Sequence, residues 1–201
     1  MIRDFREYFI KNWQPIKDEL LINHNGKISN KFTQYLECLL QDYCRESKDI
    51  CLIREIRYSD GGSEGRKKLD YLICKNEDFR KYIRDDKKLL LCGEVCIEAQ
   101  WDDKKFESDF VKKDFRKLVE FNANLMVAIA KISIKSKNPK DELREALNTL
   151  RRKAIKDESK YFIYLFGYDK KKEQFCSLVS NNFQFTEKGY KKEKSIFLNP
   201  T

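Results

Sequence analysis

One strand-like run and one isolated aspartate carry the residues best suited to chemistry in this 201-residue chain. Leu89–Trp101 reads as a long strand, so Cys96, Glu98 and Gln100 share one face while Val95, Ile97 and Trp101 share the other. Glu98 and Gln100 therefore stand at the end of an otherwise apolar element, where an unpaired carboxylate is costly to bury. A second acid, Asp70, interrupts Leu69-Asp70-Tyr71-Leu72-Ile73 in the same manner. Two carboxylates entering from the ends of adjacent strands make an oxygen-ligand site for Mg²⁺, with Mn²⁺ as a substitute. Such an ion lowers the pKa of a bound water and stabilises charge on a phosphate under attack. The same pattern also suits two acids at solvated strand ends, each paired with a nearby Lys or Arg.

The scarce residues exclude other chemistries. His24 is the single histidine and sits in the turn-like Asn23-His24-Asn25-Gly26, so neither a Ser-His-Asp triad nor a His-rich metal site is expected. With seven glycines the chain has neither a P-loop nor a dinucleotide-binding fingerprint. Its seven cysteines form no CxxC pair, and most lie in apolar runs where a reduced thiol packs as a small hydrophobe. Cys92 and Cys96, four apart along a strand, are separated by about 13 Å, too far to share a zinc. An odd cysteine count behind an N-terminus unlike a signal peptide leads us to expect a reducing, cytoplasmic setting. No apolar run reaches the roughly 18 residues that span a bilayer, so no membrane partner is expected.

The elements that must position Asp70 and Glu98 follow from periodicity. Residues 1–22 look helical, interrupted near Pro15, and residues 28–46 place Ile28, Phe32, Leu36, Leu39, Leu40 and Tyr43 at helical spacing, with Ser29 or Asn30 as a cap. Strands are expected at Ile50–Tyr58, Leu69–Cys74, Leu89–Trp101, Leu125–Ile134 and Tyr161–Tyr168, and helices at Lys104–Phe121 and Pro139–Lys156. The order α-β-β-β-α-β-α-β gives an α/β domain, a mixed central sheet flanked by helices. We expect a single domain with its core at about 28–168, an N-terminal helical segment at 1–22 and a basic C-terminal extension at 170–201, which adds one strand at Gln174–Val179. Winding Phe106–Phe121 at about 100° per residue puts Asp114 near the middle of its apolar arc and Lys117 towards the edge.

Asp70 followed by Glu98-Ala99-Gln100, with a helix before and a β-α-β continuation after, resembles the PD-(D/E)xK, restriction-endonuclease-like nuclease superfamily over residues 30–135. The resemblance implies that Asp70 and Glu98 bind Mg²⁺ and that the chain hydrolyses phosphodiesters, most readily in DNA. Gln100 takes the place of the tripeptide's lysine and would orient the water or the scissile phosphate. Leu69 stands where the motif has proline. The superfamily often carries a glutamate on the helix before its first core strand; Glu37 fits that place, supporting a second ion or water, with Glu55 as reserve. Lys113 or Lys117 would replace the missing lysine from the neighbouring helix. A nuclease cutting both strands needs two active sites, hence a homodimer. The alternative is a catalytically degenerate domain of the same fold that binds nucleic acid or a partner.

Charge is distributed unevenly. Of the net +9, the first hundred residues carry +1 and the remainder +8, which favours a polyanionic partner on one side of the fold. Helix Pro139–Lys156 turns Leu143, Ala146, Leu147, Leu150 and Ala154 inward and leaves Lys140, Arg144, Arg151, Arg152 and Lys156 on other faces. Together with Lys113, Lys117, Lys170–Lys172, Lys188, Lys191, Lys192 and Lys194, these are the candidate phosphate contacts. The same residues also make an ordinary solvated surface.

Overall fold

The computed structural model describes residues 4–22, 28–58, 67–84, 93–102, 105–121, 123–154, 157–169, 174–181, 183 and 190–194. His24, Cys92, Lys156, Lys170–Lys172 and Lys188 lie outside them.

The described residues form seven strands: β1 (Ile50–Tyr58), β2 (Lys67–Lys75), β3 (Gly93–Gln100), β4 (Ala123–Lys131), β5 (Tyr161–Asp169), β6 (Gln174–Asn181) and β7 (Tyr190–Lys194). They form one mixed sheet in chain order. The central strands β3, β4 and β5 run parallel, and antiparallel pairs flank them on both sides. The α/β class and the mixed, helix-flanked sheet are as the element order predicts. The C-terminal segment extends this sheet by two strands where one was expected.

Strand β4 explains why both faces need helices. Met126, Ala128 and Ala130 enter one core, while Val127 and Ile129 enter the other, and all five are fully buried. A strand covered on both sides reads as a near-continuous apolar run, which is how Leu125–Ala130 reads. On the first face pack the π-helix Phe106–Asp114, α4 (Phe115–Glu120) and α5 (Pro139–Arg151). On the second pack α1 (Phe5–Ile22) and α2 (Ile28–Glu46). The remaining α-helix among the described residues, α3 (Asn76–Arg84), directly follows β2.

Helix α2 spans the range its periodicity predicts and buries Phe32, Leu36, Leu39, Leu40 and Tyr43. It begins at Ile28, so Ser29 and Asn30 are inside it, not caps. Helix α1 continues through Pro15, where a break was expected. A proline forfeits one helical hydrogen bond, and packing can carry the helix past it. Phe5, Phe9 and Trp13 anchor its first half: Phe9 stacks on Trp13 and meets Phe162 and Tyr164 edge-on. The N-terminal helix thus belongs to the core that was expected to begin at residue 28.

The helix expected over 104–121 is π-helical for its first nine residues. The Phe115 amide bonds the Phe110 carbonyl, five residues back, so the 100° rotation used to place Asp114 does not hold there. Asp114 accordingly leaves the apolar arc and is partly exposed.

Gly167 on β5 marks a close approach. A methyl group there would lie 2.6 Å from Ile134 Cγ1 and 2.7 Å from the Ile132 carbonyl oxygen, which is backbone and yields little. Overpacking of this kind costs about 1–3 kcal/mol. Gly167→Ala should therefore lower the unfolding free energy by that amount, read as a lower urea midpoint at an unchanged m-value.

Candidate active site

The site grows from a fault in the β2–β3 ladder. Regular pairing runs through Ile73↔Val95, Leu72↔Cys96 and Tyr71↔Ile97, and continuing that register sets Asp70 opposite Glu98. There side chains take over from backbone. The Asp70 amide donates to Glu98 Oε1 at 3.3 Å, and the Ala99 amide donates to Asp70 Oδ2 at 3.0 Å. Each carboxylate bonds the opposite strand's main chain. On the other side of β2, pairing with β1 skips from Arg54↔Tyr71 to Ile56↔Leu69. The skipped residue, Glu55, has φ 52°, a left-handed conformation costing a non-glycine residue about 1–2 kcal/mol. Both neighbours of β2 thus depart from regular geometry at Asp70.

Glu98 is wholly buried, on the face that packs under the π-helix and α4. Its counter-charge comes from Lys117 on α4, whose ammonium donates to Glu98 Oε2 at 3.0 Å. The same ammonium meets Asp114 Oδ1 at 2.9 Å and the Lys68 carbonyl at 2.8 Å. Phe115, Leu118 and Val119, buried around Lys117 in sequence, fix the helix on the sheet and so fix the reach of its side chain.

Burial pushes the Glu98 carboxyl well above its ordinary range; the Asp70 charge adds to this and Lys117 opposes it. Burial also raises Asp70, against the Ala99 hydrogen bond and Lys117. For Lys117 burial alone would lower the ammonium, but Glu98 and Asp114 more than offset it, and the net shift is upward.

Of the residues singled out from the sequence, Asp70, Glu98 and Lys117 come together. Gln100 follows on β3, half-buried beside Ala130 of β4, on the Glu98 face by alternation. Glu37 is held elsewhere. Its Oε1 lies 2.7 Å from Arg54 Nη2 and accepts from the Tyr71 hydroxyl at 3.3 Å, and Tyr71 packs in the core on the opposite sheet face. Glu55 pairs with Lys68. Lys113 is exposed and pairs with Asp109, so of the two candidate lysines only Lys117 reaches Glu98. On α5, which covers the same face as Lys117, Arg151 pairs with Glu158, and just past the helix end the Arg152 guanidinium donates to the Asn148 carbonyl. Lys140 and Arg144 lie on the same helix and are engaged in contacts of their own.

Sequence reading had no signal for the Lys68 carbonyl as an ammonium acceptor, since any residue supplies a carbonyl. It also had none for Arg54 and Tyr71 as the holders of Glu37. Asp114 was legible as a charge needing a partner, and that partner is Lys117.

Among the described residues no group of three or more carboxylates, thiols and imidazoles is arranged to hold a metal ion. The Asp70–Glu98 pair nevertheless has the chemistry Mg²⁺ takes from proteins, one or two carboxylates with the remaining positions left to water and phosphate. Two adjacent carboxyls both pushed up by burial, with the Asp70 charge raising Glu98 further, are also the arrangement a divalent cation relieves. The donor set fits such an ion.

No family model, curated protein or solved structure matches this chain. No described helix is long and apolar enough to cross a membrane.

The raised carboxyls make stability depend on pH with a definite sign. A carboxyl with a folded pKa above its unfolded value keeps protons in the native state that the unfolded chain has already lost. The contribution is greatest below the unfolded value, 4.5 for Glu98, and is lost as pH rises through the folded pKa. Stability measured by urea unfolding from about pH 5 to about pH 8 should therefore carry a downward component that Glu98→Gln flattens. Lys117→Met should steepen it and cost about 3–5 kcal/mol at neutral pH, because the buried Glu98 loses its counter-charge.

Proposed function

We propose that this chain is a metal-dependent nuclease with a restriction-endonuclease-like core, hydrolysing phosphodiester bonds, most readily in DNA. The observation that carries the reading is the Asp70–Glu98 pair: two carboxylates facing each other where β2 and β3 part, one of them 3.0 Å from an ammonium. Asp70 and Glu98 would hold the ion. Mg²⁺, or Mn²⁺ in its place, supplies a Lewis acid and a bound water of lowered pKa when present. The chain's own groups do the rest. Lys117 brings to Glu98 the positive charge that Gln100 cannot, and by turning one N–H away from its present acceptors it would donate to a phosphate oxygen. Asp114 orients that ammonium from the same helical stretch. Gln100, neutral and able to both donate and accept, would orient the water or the scissile phosphate. The excess positive charge of the second half, with Lys140 and Arg144 on α5 and Arg152 just past its end, favours a polyanionic substrate. Two copies would provide the two sites that double-strand cleavage needs.

One observation favours a second reading. The Lys117 ammonium already has three acceptors, Glu98, Asp114 and the Lys68 carbonyl, which is its full complement. A satisfied buried ion pair is what a domain retaining the fold for binding alone would keep.

Incubating the protein with plasmid, single-stranded DNA and RNA, with Mg²⁺, with Mn²⁺ and with chelator, separates the two. The nuclease reading expects metal-dependent cleavage that Asp70→Ala and Glu98→Ala each abolish. Lys117→Met should lower the rate by about 100- to 1,000-fold, as loss of a transition-state donor does. Asp114→Asn should lower it less and shift the pH profile, since it leaves the ammonium in place. Salt-sensitive binding without cleavage in any of these conditions supports the binding domain instead.

A further inference from the structure

Away from Asp70, at the other end of the β1–β2 pair, three cysteines gather. Cys51 and Cys74 are direct cross-strand partners, and their sulfurs are 3.7 Å apart. Opposed residues in an antiparallel pair have Cα atoms about 4.5–5.5 Å apart, within the range a disulfide spans. Closing the remaining gap between the sulfurs is a matter of side-chain torsion and leaves the strand register unchanged. Cys44, near the end of α2, lies close to both: it raises the Cys74 thiol, and Cys51 raises the Cys44 thiol in turn. The proposed phosphodiester chemistry uses none of the three.

We propose that Cys51 and Cys74 form a redox-active dithiol that closes to a cross-strand disulfide when a small disulfide oxidant reaches it. Cys51 is half-buried and Cys74 fully buried, which sets the order of events. The Cys51 thiolate attacks a sulfur of glutathione disulfide, forming a mixed disulfide and releasing one glutathione. Cys74, as thiolate, then attacks the Cys51 sulfur and expels the second glutathione. Two electrons pass from the cysteines to the oxidant, and the two thiol protons end on the two glutathiones. Burial pushes the Cys74 thiol up to about 12 and raises Cys51, so closure is slow near neutrality and quickens as pH rises. The product would pin the outer strand β1 to β2 across a separation of 23 residues.

The test uses the full chain, treated with glutathione disulfide at pH 8 and compared with a sample kept in phosphine reductant. The oxidised Cys51 and Cys74 peptides should together lose the mass of two hydrogens and carry no glutathione, whatever the exposed Cys38 takes up. Digestion should give one crosslinked peptide pair containing Cys51 and Cys74, and the thermal midpoint should rise by several degrees. Cys44→Ser should keep the crosslink, and Cys51→Ser and Cys74→Ser should each lose it. Stable glutathione adducts with no crosslink, or a crosslink mapping to Cys44, would overturn the proposal. The wild-type peptide map decides the matter even if a serine variant fails to fold. Loss or retention of nuclease activity does not enter into it.

Discussion

The burial of Glu98 beside Asp70 is the constraint around which this end of the sheet is organised. A lone carboxylate with no exposure would be too costly to keep ionised, and two facing each other are worse. Everything nearby answers that cost. Backbone amides of Asp70 and Ala99 turn from ladder bonds to carboxylate oxygens, and Lys117 reaches in from the helix above. Lys117 is in turn held by Asp114 and by a carbonyl on β2 itself. The helix and the strand are thereby tied through one ammonium, and neither can shift without exposing the charge beneath.

That helix can do this because the apolar residues below it are fixed independently of the polar ones. Phe106, Phe110 and Phe115 bury on the sheet at spacings of four and five, which the π-to-α transition accommodates. The wider turn ends at Asp114, and the tighter α turn carries Lys117 back over Glu98. The register change thus sits between the anchor and the charges it presents. A uniform α-helix with the same anchors would rotate Asp114 towards the core, where its carboxylate would find no water.

Much of this was legible in the sequence, and the limits have a physical cause. Asp70 and Glu98 stand out because each breaks an apolar run; the period of two fixes faces only within one strand, and that the two acids meet follows from the β2–β3 register. Strand β4 and helix α2 were legible because burial on two faces and on one face leave different patterns. The position of Asp114 was not, because helical arithmetic assumes 3.6 residues per turn and nothing in Phe106–Asp114 announces a wider one. Nor was the fate of Glu37. Its neighbours on α2 say only that it lies beside the buried stripe, and the choice between the Asp70 side and the Arg54–Tyr71 side is made by where the helix crosses the sheet.

The same electrostatics bear on what the site is for. A pair of carboxyls both raised by burial, one of them raised further by the other's charge, lowers stability at neutral pH. An apolar pair of similar volume would cost less, and a regular ladder at this register would need neither acid. Strain at Glu55 adds to the expense in the same place. Lys117 offsets one charge, not two, so the pair retains a net negative charge when both acids are ionised. A cation bound between them would supply the missing compensation, drawing its affinity from repulsion the fold has already built in. On that argument, the site's cost to folding and its capacity to bind have one source, and removing either acid should relieve the first while destroying the second.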